Sequence, residues 1–174
     1  MRCVMLIDGR SGSGKTELAA AIAVDNPEVQ LLGLDDVYPG WDGLLAGSAA
    51  VHETVLPEHR WRRWDWAAAS FAEWHELDPD RPLIIEGCGA LSSANRALAH
   101  VGVWVELDTP TRKERAIARD GETFAGHWDE WAAQEETFIA RERPRTLADI
   151  TVAGDAPVDL AFWRSVLSSA RVES

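Results

Sequence analysis

The sequence predicts an α/β fold, a parallel sheet covered by helices on both faces. Three observations carry that expectation. Short apolar runs of strand length alternate with helical segments from one end of the chain to the other. Nearly every pair of successive runs is separated by a helical segment, the connection that parallel strands require and hairpins do not. The chain has 174 residues, 46% of them hydrophobic, which suits one packed domain over residues 1–174 and is too short for two comfortable ones.

The elements follow in order. Residues 3–7 are a continuous apolar run that stops at Asp8-Gly9, the pattern of a buried strand entering a turn. Residues 17–24, rich in Ala and Leu, predict a helix that stops near Asn26-Pro27. Residues 29–34 predict a second strand. Residues 37–57 read as a long glycine-rich loop holding Tyr38, Trp41 and Gly43, and residues 60–77 as a helix with tryptophans on several sides. Residues 82–85 predict a third strand ending at Glu86-Gly87, residues 92–99 a short helix, and residues 101–107 a fourth strand. A helix over 111–119 is expected to lead into a segment bracketed by Gly121 and Gly126, and a second helix over 128–142 to stop at Pro144. A short strand over 150–152 and a helix over 160–170 complete the chain.

Composition narrows the function. The formal net charge of −12 repels a nucleic-acid backbone, so general DNA or RNA binding is not expected. No apolar run is long enough to span a bilayer, and the first residues lack a signal-peptide pattern, so a cytoplasmic location and no membrane partner are expected. Cys3 and Cys88 have no metal-type spacing and imply no disulfide framework. Among 17 basic residues only Lys15 and Lys113 are lysines, so a lysine that persists here draws attention.

Lys15 sits in Gly9-Arg10-Ser11-Gly12-Ser13-Gly14-Lys15-Thr16, a full match to G-x4-G-K-[ST]. The motif follows a predicted strand and opens a predicted helix, the context its chemistry needs. Glycines let the backbone curl so that successive N–H groups face phosphate oxygens, and the positive end of the helix adds to the attraction. Lys15 supplies a mobile charge for the outer phosphates, and the Thr16 hydroxyl is placed to ligate magnesium. The motif implies a nucleoside triphosphate and Mg2+, with residues 9–16 as the cofactor site.

In an open parallel sheet, ligands bind beyond the carboxyl ends of the strands. Asp35 and Asp36 follow the second predicted strand there, and Glu86 the third. Phosphoryl transfer needs a group to take the attacking hydroxyl's proton and an acid near the metal. Asp35 is assigned the first role and Glu86 the second, directly or through water. An adjacent acid pair can also simply cap a turn. Asp8 is assigned no catalytic role.

The order of these motifs resembles the uridine kinase-like branch of the P-loop kinases. The phosphate loop is followed by LDDVYPGWDG, where Asp35-Asp36-Val37-Tyr38 stands for that branch's D-x-F-Y, with Val37 in place of the aromatic residue. Glu86-Gly87 matches its E-G, and Arg112, Arg115, Arg119 and Asp120 match its R-x-x-R-x-x-x-R-D. The resemblance covers roughly residues 1–150 in layout, and only the phosphate loop in it is highly specific. It implies a three-layer P-loop NTPase fold with five parallel strands in the order 2-3-1-4-5, ATP as donor, Mg2+, a short lid at about 119–128, and a small hydroxylated acceptor. The chain is shorter than typical uridine kinases, and RWRRWDW, residues 60–66, has no clear counterpart, so the resemblance implies the reaction class and not uridine.

Arg112, Arg115 and Arg119 share one helix face by spacing, and Arg115 and Arg119 are assigned to charge stabilisation from the lid. The same face can be a solvated basic surface. Arg141, Arg143 and Arg145 form a second basic cluster around Pro144, which can approach the donor base or phosphates or simply face solvent. The acceptor region is placed at about 37–78, with Asp36, Tyr38, Trp41, Arg60 and Arg63 as its binding residues; aromatic planes stack on an acceptor and arginines bond its polar edges. Trp61, Trp64 and Trp74 can equally pack the core, and Trp128, Trp131 and Phe138 are expected to do so. The histidines share no metal spacing.

The function expected is an ATP- and Mg2+-dependent transfer of the γ-phosphate to a hydroxyl or phosphate of a small molecule, a nucleoside or nucleotide. The alternative is an ATPase or regulatory module without an acceptor. A GTPase is disfavoured because no N-K-x-D guanine motif is present.

Overall fold

The computed structural model of the chain describes residues 2–172, the side chains of Asp120, Glu122, Thr123, Arg171 and Val172 excepted. Five parallel strands form the sheet: β1 (Val4–Asp8), β2 (Gln30–Gly33), β5 (Leu83–Glu86), β6 (Val101–Glu106) and β7 (Ile150–Ala153). Their spatial order is β2-β5-β1-β6-β7, which is 2-3-1-4-5 when the strands of this sheet are numbered along the chain. This is the P-loop NTPase fold that the motif order implies.

The central strand β1 is buried along its whole length, because both faces are covered. Alternation then splits its side chains between two cores. Val4 and Leu6 join Leu32, Leu83 and Ile85 beneath Trp128, Trp131 and Phe138. Met5 and Ile7 join Ile84, Val103 and Val105 beneath Leu18, Ile22, Trp163 and Leu167. The second core lies under helices α1 (Lys15–Asp25) and α7 (Leu160–Val172).

Two segments depart from the sequence reading. Residues 37–57 are not a loop throughout: α2 (Leu44–Ala50) runs through a π-turn at Val51–Val55 into the single turn α3 (Leu56–Glu58). Leu44, Gly47, Ser48, Val51 and Val55 form its buried face at helical spacing. The glycines conceal that face. Gly47 is there because a Cβ would run into the Tyr38 ring.

Residues 60–77 are a hairpin and not a helix, with β3 (Arg60–Asp65) antiparallel to β4 (Ser70–Glu76). Large aromatics favour a pleated, half-buried surface, and here they pair across the strands. Trp61 stacks on His75 at 4.3 Å between ring centroids, and Trp64 meets Phe71 edge-on at 5.1 Å. The Ala67–Ala69 run, helical by propensity, is held as a turn: Asp65 Oδ1 accepts from the Ala67 and Ala68 N–H groups at 3.0 and 2.9 Å.

After the short helix α4 (Ser93–Arg96), the two helices expected around the lid are present as the two limbs of α5 (Thr109–Glu142), which meet at a kink at Gly121. Asp108 caps it by accepting from Thr111 N at 3.0 Å. The predicted glycine-bracketed segment survives only as a bend at Gly121, whose φ of 70° is non-helical. The short α6 (Pro144–Leu147) leads into β7. Among the described residues no helix is long and apolar enough to cross a membrane.

Candidate active site

The phosphate loop leaves β1 at Asp8 and curls into α1. Gly12 adopts φ 78° with the Arg112 backbone packed against it, so no side chain fits there. Lys15 is buried, and its Nζ donates to the Arg10 carbonyl at 3.1 Å. Burial alone pulls the ammonium pKa down. The negative charges around it, from Cys88 when ionised and from Glu86, Glu135 and Asp8, outweigh burial and raise it. Lys15 is therefore fully charged at neutral pH.

Glu86 closes the strand next to β1. It is buried, and its Oε1 accepts from Thr16 Oγ1 at 3.2 Å. Burial pushes its carboxyl pKa up, while Lys15, Thr16 and Arg119 oppose the shift and Asp35 adds to it. A hydroxyl and a carboxylate at this separation are hard oxygen donors of the kind Mg2+ takes alongside nucleotide phosphates and water. No cluster of three or more His, Cys, Asp or Glu among the described residues forms a metal cage. The Thr16 and Glu86 oxygens fit a Mg2+ carried in with nucleotide phosphates.

Asp8 plays the structural part its position allows. Its Oδ1 accepts from Gly9 N at 2.6 Å and Gly89 N at 3.1 Å, and its Oδ2 from Leu91 N at 2.8 Å. One buried carboxylate so ties the phosphate loop to the loop after β5. Burial pushes its pKa up to about 6 against those three N–H groups and Lys15.

Two clefts open at the carboxyl edge of the sheet. The first, about 440 Å³, is lined by Gly12, Lys15, Thr16, Arg115, Arg119 and the Gly154–Ala156 turn after β7. The second, about 370 Å³, is lined by Ser11, Asp35, Arg119 and the rings of Tyr38, Trp41, Trp66, Phe124 and Trp131. Arg119 lines both. The first cleft holds the second half of the phosphate loop, Gly12, Gly14, Lys15 and Thr16, with two arginines. The second is aromatic, with one carboxylate and one guanidinium.

The sequence-assigned residues divide accordingly. Lys15, Thr16, Glu86, Asp35, Arg119, Tyr38 and Trp41 gather around the two clefts. Arg115 lies on the donor side only, where its Nη1 donates to the Gly154 carbonyl at 3.1 Å. Asp36 is exposed and lines neither cleft. Arg60 is turned to Glu58 at 2.6 Å and lies over Trp74, and Arg63 is turned to Glu73 at 2.6 Å. Hairpin geometry, absent from the sequence reading, commits both arginines to acids on the surface. Arg112 is also not a lid residue. It is buried and donates to Ser11 O, Leu107 O and Thr109 Oγ1 at 3.1, 3.1 and 2.9 Å. Arg141 and Arg145 pair with Glu142 and Glu106 at 2.8 and 2.9 Å, and Arg143 caps α5 in a left-handed conformation. The Asp120 side chain lies outside the described residues.

Sequence reasoning missed the Trp66 contact. The Trp66 Nε1 donates to the Asp35 carbonyl at 2.9 Å, which brings the hairpin tip over the second cleft. It also assigned Trp131 to the core alone, whereas that ring both packs against Tyr38 at 4.9 Å and lines the cleft. Glu135 was missed entirely. Its Oε2 accepts from Arg10 Nε at 2.8 Å and its Oε1 from Ser11 N at 2.6 Å. The available signal was an acid on the apolar face of α5, in register with Trp128 and Trp131.

No protein-family model and no curated protein matches the chain. Solved structures do. One described as a possible uridine kinase from Bacillus stearothermophilus is 21% identical with a TM-score of 0.57, over 86% of this chain and 88% of that one. A shikimate kinase from Acinetobacter baumannii is 14% identical with a TM-score of 0.54, over 100% and 96% of the two chains. A gluconokinase from Sinorhizobium meliloti is 17% identical with a TM-score of 0.50, over 99% and 95%. At these identities the likeness is one of fold, and the fold is the P-loop NTPase fold.

Proposed function

We propose that the chain is an ATP- and Mg2+-dependent phosphotransferase that moves the γ-phosphate to a hydroxyl of a small molecule held in the aromatic cleft. The observation that carries this reading is the pair of clefts meeting at Arg119, one built on the phosphate loop and the other on Asp35 and aromatic rings. A hydrolase needs only the first.

In this reading the phosphate-loop amides and Lys15 hold the triphosphate, and its base and ribose lie toward Arg115 and the Gly154–Ala156 turn. Thr16 and Glu86 would hold Mg2+, which neutralises charge on the phosphate oxygens when bound. Asp35 orients the acceptor hydroxyl and takes its proton as the oxygen bonds to phosphorus and ADP departs with the bridging oxygen. Arg119, facing both clefts, stabilises charge on the group in transit. The polar lining of the second cleft is one acid, one arginine and Ser11, which suits a hydroxyl acceptor better than one bearing its own phosphate.

The solved structures similar to this chain are called uridine, shikimate and gluconate kinases, so nucleosides, hydroxylated ring acids and sugar acids are the first acceptors to test. The experiment is ADP release with ATP and Mg2+, acceptor by acceptor, with Lys15→Ala as the blank. Release stimulated by an acceptor in the wild type and absent in the variant supports the reading. Lys15-dependent release that no acceptor stimulates supports the ATPase alternative.

A further inference from the structure

Gln134 and Glu135 are adjacent on α5, and each holds a different loop of the candidate site. Glu135 is 3% exposed and lines neither large cleft. Its two oxygens accept from Ser11 N at 2.6 Å, Arg10 Nε at 2.8 Å and Cys88 Sγ at 3.3 Å, so it grips the outer half of the phosphate loop. The Gln134 Nε2 donates to the Trp41 carbonyl, and its Oε1 accepts from Leu44 N at 3.4 Å. Trp41 lines the aromatic cleft, and Leu44 opens the helix below it.

Packing does not require this arrangement. Phe124, Trp128, Trp131 and Phe138 already give α5 an apolar face for the sheet. A carboxylate buried on that face costs free energy unless its oxygens are satisfied, and here the phosphate loop satisfies them. Successive side chains on a helix diverge by about 100°, so the two residues reach different loops from one rigid stretch of backbone. Ordering the phosphate loop at Ser11 therefore bears on the stretch that holds Trp41 and Leu44.

We propose that Gln134 and Glu135 are positioning residues that couple order in the phosphate loop to order in the acceptor loop, residues 38–44. The inference rests on the donor-site reading above. The Glu135 link is charge-assisted through Arg10, and the Gln134 link is neutral and half-buried, so the second can be cut with little risk to folding.

The test is backbone hydrogen–deuterium exchange with the non-hydrolysable analogue AMPPNP and Mg2+ as the probe. In the wild type the analogue slows exchange at residues 9–17 and also at 38–44, the latter by about fivefold or more, the lower end of ordinary coupling between sites. In Gln134→Ala it still slows exchange at 9–17 and no longer at 38–44. Glu135→Gln, of equal volume, binds the analogue more weakly and shows a reduced response at 38–44; should it fail to fold, Gln134→Ala decides. A purely structural Gln134 would change static protection and leave the response to nucleotide intact, which overturns the inference. A wild type that responds at 9–17 but not at 38–44 overturns it while the donor site stands. No response in either segment removes the donor-site reading and the inference together.

Discussion

The Arg112 guanidinium donates to the Ser11 carbonyl at 3.1 Å, so the first turns of α5 hold the phosphate loop from outside the donor cleft. The same group satisfies Leu107 O and Thr109 Oγ1, and Arg112 is 2% exposed. Replacing it by Met keeps the apolar stem and leaves these acceptors unpaired. Arg112→Met is expected to lower stability by about 2–4 kcal/mol, since hydrogen bonds to charged groups are worth about 1.5–3 kcal/mol each and are partly recovered by water. Arg115→Met, at an exposed position, should stay within about 0.5 kcal/mol of the wild type. Denaturant unfolding of both variants measures this, and a loss below about 1 kcal/mol for Arg112→Met shows that the clamp carries little weight.

Arg115 and Arg119 separate in function by where they sit. Arg115 braces the Gly154 carbonyl on the donor side, whereas Arg119 lines both clefts and its charge reaches Glu86. Arg115→Ala should raise the ATP KM with little change in kcat, because the contact serves ground state and transition state alike. Arg119→Ala should lower kcat by about 10²–10³ with a smaller change in ATP affinity, the size of one lost donor at a developing charge. Steady-state kinetics on the two variants, with any acceptor that passes the screen, tests the split. The reverse pattern assigns the lid charge to Arg115.

The legible part of the fold was the part with one dominant local signal. The G-x4-G-K-T run, the buried apolar strands and the acids at their ends predicted β1, β5, Lys15 and Glu86, because each is fixed by its own neighbours in sequence. The hairpin at 60–76 was not legible: a tryptophan serves a helix or a strand, and the choice rests on cross-strand partners such as His75 and Phe71. Misreading it misplaced Arg60 and Arg63 and hid the reach of Trp66 to Asp35. The burial of Arg112 was not legible for a different reason. Helical spacing gives a shared face, but packing of the first turns of α5 against the phosphate loop buries Arg112 and leaves the next two on the clefts.

Asp8 gives a pH signature. Its folded pKa of about 6 lies above the ordinary 3.8. A raised carboxyl contributes stability that is fully present below the unfolded value and is lost as pH rises through the folded one. The shift corresponds to roughly 3 kcal/mol, lost mostly between about pH 4 and pH 7. Asp8→Asn has no such titration, although it forfeits one acceptor for the N–H groups of Gly9, Gly89 and Leu91. The difference in unfolding free energy, wild type minus variant, should therefore shrink as pH rises across that window. A difference that is flat or grows with pH means that Asp8 is ionised throughout and that its backbone donors outweigh burial.

Asp35 and Asp36 are both exposed, and only Asp35 lines a cleft. Asp35 lines the aromatic cleft with its carbonyl fixed by Trp66, while Asp36 lies outside both clefts, close enough to Arg63 to help keep that guanidinium charged. The strand order places β5 between β2 and β1, and Asp35 lines the same cleft as Ser11 of the phosphate loop. In the proposed reading that cleft takes the acceptor hydroxyl. A carboxylate there orients the hydroxyl and accepts its proton, worth about 10²–10⁴ in rate. Asp35→Asn preserves shape and the Trp66 bond, which uses the backbone, so ATP binding should persist while acceptor phosphorylation falls by that factor. Asp36→Asn should change the rate by less than about threefold, because it lines neither cleft and its charge is screened at the surface. ATP affinity and acceptor-dependent ADP release on both variants decide the assignment. If Asp36→Asn is the inactive one, the loop in solution presents its neighbour to the cleft; if neither slows transfer, the proton acceptor lies elsewhere and the aromatic cleft loses its catalytic group.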